Sequence, residues 1–266
     1  MLDIVNISKT FNPGTVNEKK ALSGVSLHME RGDFATIVGS NGAGKSTLFN
    51  AIAGGFITDQ GSISLAGRDI TYEAEYRRSR QMGHLFQDPM RGTAPHMTIE
   101  ENMALAYLRA GKSQRAYFSR VSKADKAAFR EQLARLGMGL EDRMRQSVGL
   151  LSGGQRQALA LLMATMVPPD LLLLDEHTAA LDPETADKVL TLTREIVAGG
   201  NITCLMVTHN MKNALELGNR TLMMDSGRIV LDVGGEARKN MTVEELLVQF
   251  KENVGKGLDN DRILLS

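Results

Sequence analysis

Several features are scarce or missing in the chain, and each absence excludes a class of protein or segment. It has one cysteine, Cys204, which excludes an internal disulfide framework and indicates a reducing, cytoplasmic setting. Its 31 basic residues balance 31 acidic ones, so its charge gives no reason to expect nucleic-acid binding. No run approaches the ~20 consecutive apolar residues that a membrane-spanning helix needs. The first residues lack the basic flank and apolar stretch of a signal peptide, so we expect none.

The chain does have enough apolar sequence for a substantial core. With 266 residues and 42% hydrophobic content, it can form one large domain or two lobes. Short apolar runs bounded by turn residues predict strands, and apolar residues at helical spacing predict helices between them. Cys204 falls in one such run, which indicates a buried and unreactive thiol. The predicted strands cover 2–7, 22–29, 33–38, 63–65, 171–174 and 202–207, with a hairpin at 222–231.

The middle of the chain has a more helical pattern than the rest. A capping box at Thr98–Glu101 opens one helix, a second helix ends at Gly137, and a third begins after Gly153 and Gly154. Strands and helices alternate again after this part, and another capping box at Thr242–Glu245 opens the last helix. We therefore predict a core at 1–87 and 166–250, an inserted helical subdomain at 88–165 and a C-terminal tail at 251–266.

A glycine-rich loop lies between a predicted strand and a predicted helix, and it matches the P-loop pattern. Its glycines let backbone N–H groups turn toward a phosphate chain, and the N-terminus of the helix adds a partial positive charge. Lys45 would reach the β- and γ-phosphates of a nucleotide, and Ser46 would ligate Mg²⁺. A chance glycine-rich turn is disfavoured because the strand–loop–helix context is present. The loop residues are Gly39, Ser40, Asn41, Gly42, Ala43, Gly44, Lys45, Ser46 and Thr47.

Two acidic residues, Asp175 and Glu176, directly follow the apolar strand at 171–174. In an open α/β sheet, ligands bind beyond the C-terminal ends of the strands. Asp175 would therefore hold Mg²⁺, and Glu176 would orient or deprotonate the attacking water. A solvated acidic strand end is common in isolation, but the presence of a P-loop favours the nucleotide interpretation.

A third motif, Leu-Ser-Gly-Gly-Gln at Leu151–Gln155, stands at the start of a helix. With the P-loop and the acidic strand end, it makes the chain resemble an ABC-type ATPase over about residues 2–250. The resemblance implies an α/β fold with a P-loop NTPase core, made of a mainly parallel sheet and an antiparallel β subdomain, plus an inserted α-helical subdomain. It also implies ATP hydrolysis, with ATP and Mg²⁺ as cofactors.

The resemblance assigns roles to further residues. Ser152, Gly153, Gly154 and Gln155 would complete the P-loop site of a second copy in a head-to-tail dimer. Gln87 matches the glutamine that senses Mg²⁺ and water. His209 matches the histidine that contacts the γ-phosphate, Phe11 the aromatic ring beneath adenine, and Ala180–Asp182 the loop that crosses to the partner.

Some of these positions allow other interpretations. Phe11 suits burial in a core as well as stacking on adenine. Glu176 is followed by His177, where the family more often has proline, and we expect a packing substitution with no catalytic role. His28, His84 and His96 match no motif and have no metal-ligand spacing, so ordinary surface or core roles are expected for them.

The family resemblance implies transport as the output. It implies transmembrane permease subunits as partners, a solute-binding protein in the system, and attachment to the cytoplasmic face of the membrane through the permease. The chain resembles stand-alone cassettes of bacterial importers, and it looks similar to those that serve small polar solutes such as amino acids. The alternative is a soluble, non-transport ABC ATPase, although the segment between Gln87 and Ser152 shows no sustained heptads for the coiled coils of chromosome and repair members. A P-loop kinase or GTPase would leave the Leu151–Gln155 motif unexplained.

Overall fold

The computed structural model of the chain describes residues 1–88, 90–110 and 121–254. The chain forms two compact units: the first joins Met1–Ser79 to Asn201–Ser266, and the second is Arg80–Gly200. The predicted division into core, helical insertion and tail stays a prediction, and residues 255–266 of that tail lie outside the described residues. Among the helices described, none is long and apolar enough to span a membrane.

The first unit contains an antiparallel sheet with the strand order β2-β1-β4-β5. In β1 and β2 apolar residues face one side, as the buried pairs Leu2–Met29 and Ile4–Leu27 show. The register shifts after Ile4, where Asn6 adopts a φ of 51°, so a bulge in β1 increases the local twist of the sheet. The strands are β1 (Leu2–Phe11), β2 (Lys19–Met29), β4 (Gln60–Leu65) and β5 (Arg68–Asp69).

The same unit contains a second, mostly parallel group of strands in the order β10-β9-β3-β8. The central strand β3 is buried along its whole length, and it runs parallel to both β8 and β9. A strand covered on both faces is expected to be continuously apolar rather than alternating, and β3 and β8 both read this way. The strands are β3 (Phe34–Val38), β8 (Thr203–Val207), β9 (Arg220–Asp225) and β10 (Arg228–Gly234).

Helices flank these strands, and buried arginines bond the C-terminal carbonyls of two of them. Arg78 donates to the carbonyls of Ala51 and Ile52 at the end of α1, and Arg238 donates to those of Ala214 in α7 and Leu217 just beyond it. Terminal carbonyls of a helix have no intrahelical partner, so a buried end needs such donors. The helices are α1 (Lys45–Ala53), α2 (Glu75–Arg78), α7 (Met211–Glu216), α8 (Glu236–Lys239) and α9 (Val243–Val254).

The second unit combines two parallel strands with four longer helices. β6 (Met82–Leu85) pairs with β7 (Leu171–Asp175), and Gly83 lies so close to the end of α5 that an added Cβ would be 2.9 Å from the Ala164 carbonyl oxygen. The apolar core of this unit includes Ile99, Met103, Phe129, Leu133, Val148 and Leu159. The helices are α3 (Ile99–Ala110), α4 (Lys123–Ala134), α5 (Gly153–Thr165) and α6 (Pro183–Gly200).

The predicted α/β class, with mostly parallel strands and a separate antiparallel sheet, is confirmed. Some predicted boundaries are wrong. The helix predicted to end at Gly137 ends at Ala134, because the next N–H groups bond three residues back and Gly137 reverses the chain at a φ of 62°. The helix α5 begins at Gly153 rather than after Gly154, because Ser152 is its N-cap.

Candidate functional site

The glycine-rich loop of the first unit connects β3 to α1. A Cβ on Gly39 would lie 2.3 Å from the Met224 carbonyl oxygen, and one on Gly44 would lie 2.7 Å from that of Ala21. Only glycine therefore allows the loop to pass this close to its neighbours. The N-cap of α1 is Gly44, which offers no side-chain cap, and the first turn carries no acidic residue. These features leave the helix N-terminus suited to an anionic group.

Lys45 is the first residue of α1 and lies back over the loop. Its Nζ donates to the carbonyl oxygens of Gly39, at 2.6 Å, and Ser40, at 3.1 Å, and the residue is 5% exposed. Ser46 is exposed at the start of the helix and Thr47 is half-buried. The loop residues predicted to hold a phosphate chain therefore lie together between the end of β3 and the start of α1.

The turn between β9 and β10 supports this loop, a role that sequence reasoning missed. The Gly227 N–H donates to the Ala43 carbonyl at 2.9 Å, and the Ser23 N–H donates to the Gly227 carbonyl at 2.9 Å. A Cβ on Gly227 would lie 2.7 Å from the Ala21 carbonyl oxygen. The sequence does signal a hairpin turn at 225–227, but it gives no indication of where that turn docks.

His209 leaves the same edge of the parallel strands as the glycine-rich loop. Ile37 of β3 is aligned with Val207 of β8, and the Thr208 N–H donates to the Ile37 carbonyl at 3.1 Å. His209 follows directly and is exposed. The structure thus brings together two predicted parts of the site, the loop and the histidine, within the first unit.

In the second unit, Gln87 and the acidic pair also leave one edge of neighbouring strands. Leu85 is aligned with Leu174 in the parallel pair of β6 and β7. Gln87 lies two residues beyond β6 and is exposed, while β7 ends at Asp175. Oxygen ligands from carboxyl and amide groups are the kind that Mg²⁺ prefers. This edge therefore suits a hard divalent cation.

Glu176 adopts an unusual backbone conformation. Its φ is 45°, in the left-handed region, which costs a residue other than glycine about 1–3 kcal/mol. Its carbonyl accepts from the Ala179 N–H at 2.9 Å, which closes a tight turn directly after β7. The side chain is half-buried. Strain of this kind is often found where a fold orients a functional side chain.

His177 is buried beneath this turn. Its Nε2 lies 3.2 Å from the Thr193 hydroxyl of α6. Burial lowers the pKa of His177 to about 4, so the ring is neutral at physiological pH. The expectation of a packing position is consistent with this burial, and sequence reasoning missed the partner on α6.

The Leu151–Gln155 motif forms the N-terminus of α5. The Ser152 hydroxyl accepts from the Gln155 N–H at 3.3 Å, and the Gln155 side chain accepts from the Ser152 N–H at 3.2 Å. This reciprocal capping box fixes the start of the helix. Ser152 is exposed, whereas Gly154 is buried against α6.

Phe11 ends β1 and is half-buried. Its ring packs edge-on against Phe56, with centroids 5.4 Å apart, and Lys9 Nζ lies 5.9 Å from the Phe11 ring centre. Lys9 is itself paired with Asp59 at 2.7 Å. These contacts suit a ring at the edge of a core as well as one that stacks on a base, so both predicted interpretations of this residue stay open.

The remaining candidates have structural surroundings. His28 lies between the carboxylates of Asp3 and Glu30 on the surface. Burial lowers the pKa of His84 to about 4, and His96 is exposed. Cys204 is fully buried, as predicted, and burial raises the pKa of its thiol.

Comparisons with known proteins agree on one family. The model of the family described as "ABC transporter" matches residues 22–179. The chain is 43% identical over 252 residues to the tyrosine transport ATP-binding protein of Clostridioides difficile, which covers 94% of the chain and 99% of the relative. It is 37% identical over 213 residues to the methionine import ATP-binding protein MetN of Rhizobium etli. That match covers 79% of the chain and 56% of the relative.

A solved structure is also similar. It is the dimeric post-hydrolysis state of the ATP-binding cassette MJ0796 bound to ADP and Pi, with a TM-score of 0.76 and 25% identity. The match covers 88% of this chain and 98% of the other. The predicted P-loop NTPase fold is thereby confirmed.

Proposed function

The chain belongs to the ABC transporter family as an ATP-binding subunit, and from this premise we propose that it powers the import of a small polar solute, an amino acid being the first candidate. The observation that carries the solute class is the 43% identity to a tyrosine transport ATP-binding protein along almost the whole of both chains. Membership implies that the chain binds and hydrolyses ATP. The residue roles below are proposals.

ATP binding is proposed to rest on the loop at 39–47. Lys45 exchanges its hydrogen bonds to the Gly39 and Ser40 carbonyls for the β- and γ-phosphates. The uncapped N–H groups of α1 and the glycine amides donate to the phosphate oxygens. Phe11, half-buried at the end of β1, stacks on adenine. None of these contacts distinguishes ATP from ADP except those to the γ-phosphate.

The donor set also suits Mg²⁺. Ser46 provides an exposed hydroxyl, Asp175 a carboxylate at a strand end, and Gln87 an exposed amide. When Mg²⁺ is bound together with a nucleotide, the protein typically supplies only a few ligands, and these are oxygen donors. When bound, this ion neutralises charge on the phosphates.

Glu176 is proposed to be the residue that acts on the attacking water. Its carboxylate accepts a proton from the water or orients it for attack. Gln87 positions the same water, and His209 donates to the γ-phosphate as negative charge is redistributed. A positioned general base typically contributes ~10²–10⁴-fold.

A second copy of the chain is the proposed partner for catalysis. Ser152 is exposed at the N-terminus of α5, where a hydroxyl and helix N–H groups favour an anion. Ser152, Gly153, Gly154 and Gln155 of one copy would thus complete the site of the other. ATP then joins two copies, and loss of the γ-phosphate releases them.

Transport needs a membrane partner. We propose that the dimer is attached to transmembrane permease subunits at the cytoplasmic face, and that a solute-binding protein delivers the solute. An exporter would move the solute outward. A non-transport ATPase would move no solute.

The test is solute uptake by liposomes containing the permease and the ATPase, with ATP inside. Labelled tyrosine supplied outside with its binding protein should accumulate with the wild-type chain. It should not accumulate with Glu176→Gln, whereas Glu195→Gln, at an exposed position on α6, should behave as wild type. ATP hydrolysis without uptake of any amino acid tested would reject the solute class. Normal hydrolysis by Glu176→Gln would reject the role of Glu176 alone.

A further inference from the structure

The turn that carries Glu176 is tied to α6 through the next residue. Glu176 has its left-handed φ of 45°, and His177 directly after it is 2% exposed. The imidazole reaches Thr193, a residue in the middle of α6 that is completely buried. The residue after the strained position therefore has a fixed contact on a different element of the same unit.

The direction of this hydrogen bond follows from the atoms present. Thr193 Oγ1 is 2.8 Å from the Val189 carbonyl oxygen, and a carbonyl can only accept. The single hydroxyl proton of Thr193 is used there, so the 3.2 Å contact with His177 has Nε2–H as its donor. The ring is then the Nε2–H tautomer. Its Nδ1 has no hydrogen-bond partner in the described part of the chain, so Thr193 holds the ring by one bond.

The anchor point is rigid. Thr193 lies in an 18-residue helix, and its hydroxyl is bonded to the backbone of that helix. On the other side of the turn, the Ala179 N–H closes onto the Glu176 carbonyl, and β7 precedes it. The backbone of Glu176 is therefore restrained by β7 before it and by the turn after it. The hydrogen bond from His177 to Thr193 adds a side-chain restraint to these backbone ones.

We propose that His177 is a positioning residue, whose hydrogen bond to Thr193 keeps the Glu176 carboxylate in the orientation that hydrolysis requires. This inference rests on the proposed role of Glu176. It assigns no proton transfer to His177, because its ring is buried and neutral. A displacement of a catalytic group by about 1 Å can reduce turnover by about a hundredfold, so a small loss of restraint is measurable.

The test begins at Thr193, where substitutions change the bond with little change in volume. In the full chain, Thr193→Val removes the acceptor and Thr193→Ser keeps it. Thr193→Val should lower kcat about tenfold and leave the Kd for ATP unchanged. Thr193→Ser should have a kcat close to that of the wild type. From the other side of the bond, His177→Gln, which keeps an N–H donor, should retain more activity than His177→Leu.

The same substitutions in a Glu176→Gln background decide whether the effect passes through Glu176. There, Thr193→Val should lower kcat no further. An equal reduction in both backgrounds would overturn the proposal, as would a lower Tm with an unchanged kcat for the folded protein. If Glu176→Gln itself hydrolyses ATP normally, the proposed role of Glu176 fails. A failure of the positioning role looks different, because Glu176→Gln then hydrolyses ATP slowly while Thr193→Val lowers kcat equally in the wild-type and Glu176→Gln backgrounds.

Discussion

Gly154 of α5 lies so close to Thr185 of α6 that a Cβ added to the glycine would come within 2.0 Å of the Thr185 Cγ2 atom. Gly154 lies in the first turn of α5, and within a helix alanine is normally more favourable than glycine by up to about 1 kcal/mol. Here the overlap reverses that preference, because overpacking costs about 1–3 kcal/mol. The glycine is required by the contact between two helices, whatever else it does.

Gly154→Ala should therefore destabilise the folded chain by about 1–3 kcal/mol, measured by denaturant unfolding. Thr185→Ser removes the methyl group that would clash, so the double variant should recover most of that loss. Gly153→Ala is the matched control, since its Cβ would be 3.4 Å from Leu181 Cδ2. A double variant as unstable as Gly154→Ala would show that the overlap is not the cause.

Arg78→Met should destabilise the chain by about 3–5 kcal/mol, because several buried carbonyls lose their donor and each unsatisfied group costs about 1–3 kcal/mol. The neighbouring Arg77 is exposed, so Arg77→Met should change the free energy of unfolding by less than about 0.5 kcal/mol. Urea unfolding of both variants makes the comparison. Similar losses in the two would contradict the account. The carbonyls that Arg78 bonds are those of Ala51, Ile52, Thr71 and Glu73.

His28 should make stability depend on pH. Hydrogen bonds to Glu30 first and Asp3 second raise the pKa of His28 in the folded chain. Because the folded pKa is raised, the charged histidine stabilises the fold fully when the pH is below its unfolded pKa of 6.5. This contribution is lost as the pH rises through the folded pKa. Between pH 6 and pH 9, the wild type should lose more stability than His28→Gln. Parallel curves for the two proteins would rule out the linkage.

Phe11→Ala should weaken ATP binding by up to about a hundredfold, since base–aromatic stacking is worth about 1–3 kcal/mol. The turnover of bound ATP should change little. Phe11→Tyr keeps the ring and should bind nearly as wild type. Fluorescent-nucleotide titration measures both variants, and an unchanged affinity in a folded Phe11→Ala protein would assign the ring to the core with Phe56.

With ATP present, Glu176→Gln should elute as a stable dimer in size-exclusion chromatography, because binding persists while cleavage is slowed. Lys45→Ala should remain monomeric, since it loses its contact with the phosphates. A monomeric Glu176→Gln with ATP bound would show that two copies do not share the site.

Local patterns predicted much of the fold. The capping boxes at Thr98 and Thr242 both form, with Glu101 and Glu245 bonded back to the N-cap N–H groups. The strand–loop–helix arrangement around Lys45 also forms as predicted. These features depend on residues three or four positions apart, which a sequence displays directly.

The features that the sequence did not reveal depend on distant residues. The strand β6 was not predicted, because Gly83 and His84 give it little β-propensity and its pairing with β7 decides its structure. The bond from His177 to Thr193 and the approach of Gly154 to Thr185 join separate elements in the same way. The predicted roles of the site residues rest on motifs, and they stay predictions until the variants are measured.

The hydrogen bond from Gly227 to Ala43 has a consequence for biosynthesis. β3 emerges from the ribosome before the whole of the second unit, but its partners β8 and β9 and the turn that holds the glycine-rich loop emerge only after that unit. Closing contacts between such distant segments is slow. A nascent chain should therefore be unable to bind ATP until β9 and β10 have been made. The ability to hydrolyse ATP then appears only after the ribosome has passed Gly227, long after it has made the loop itself.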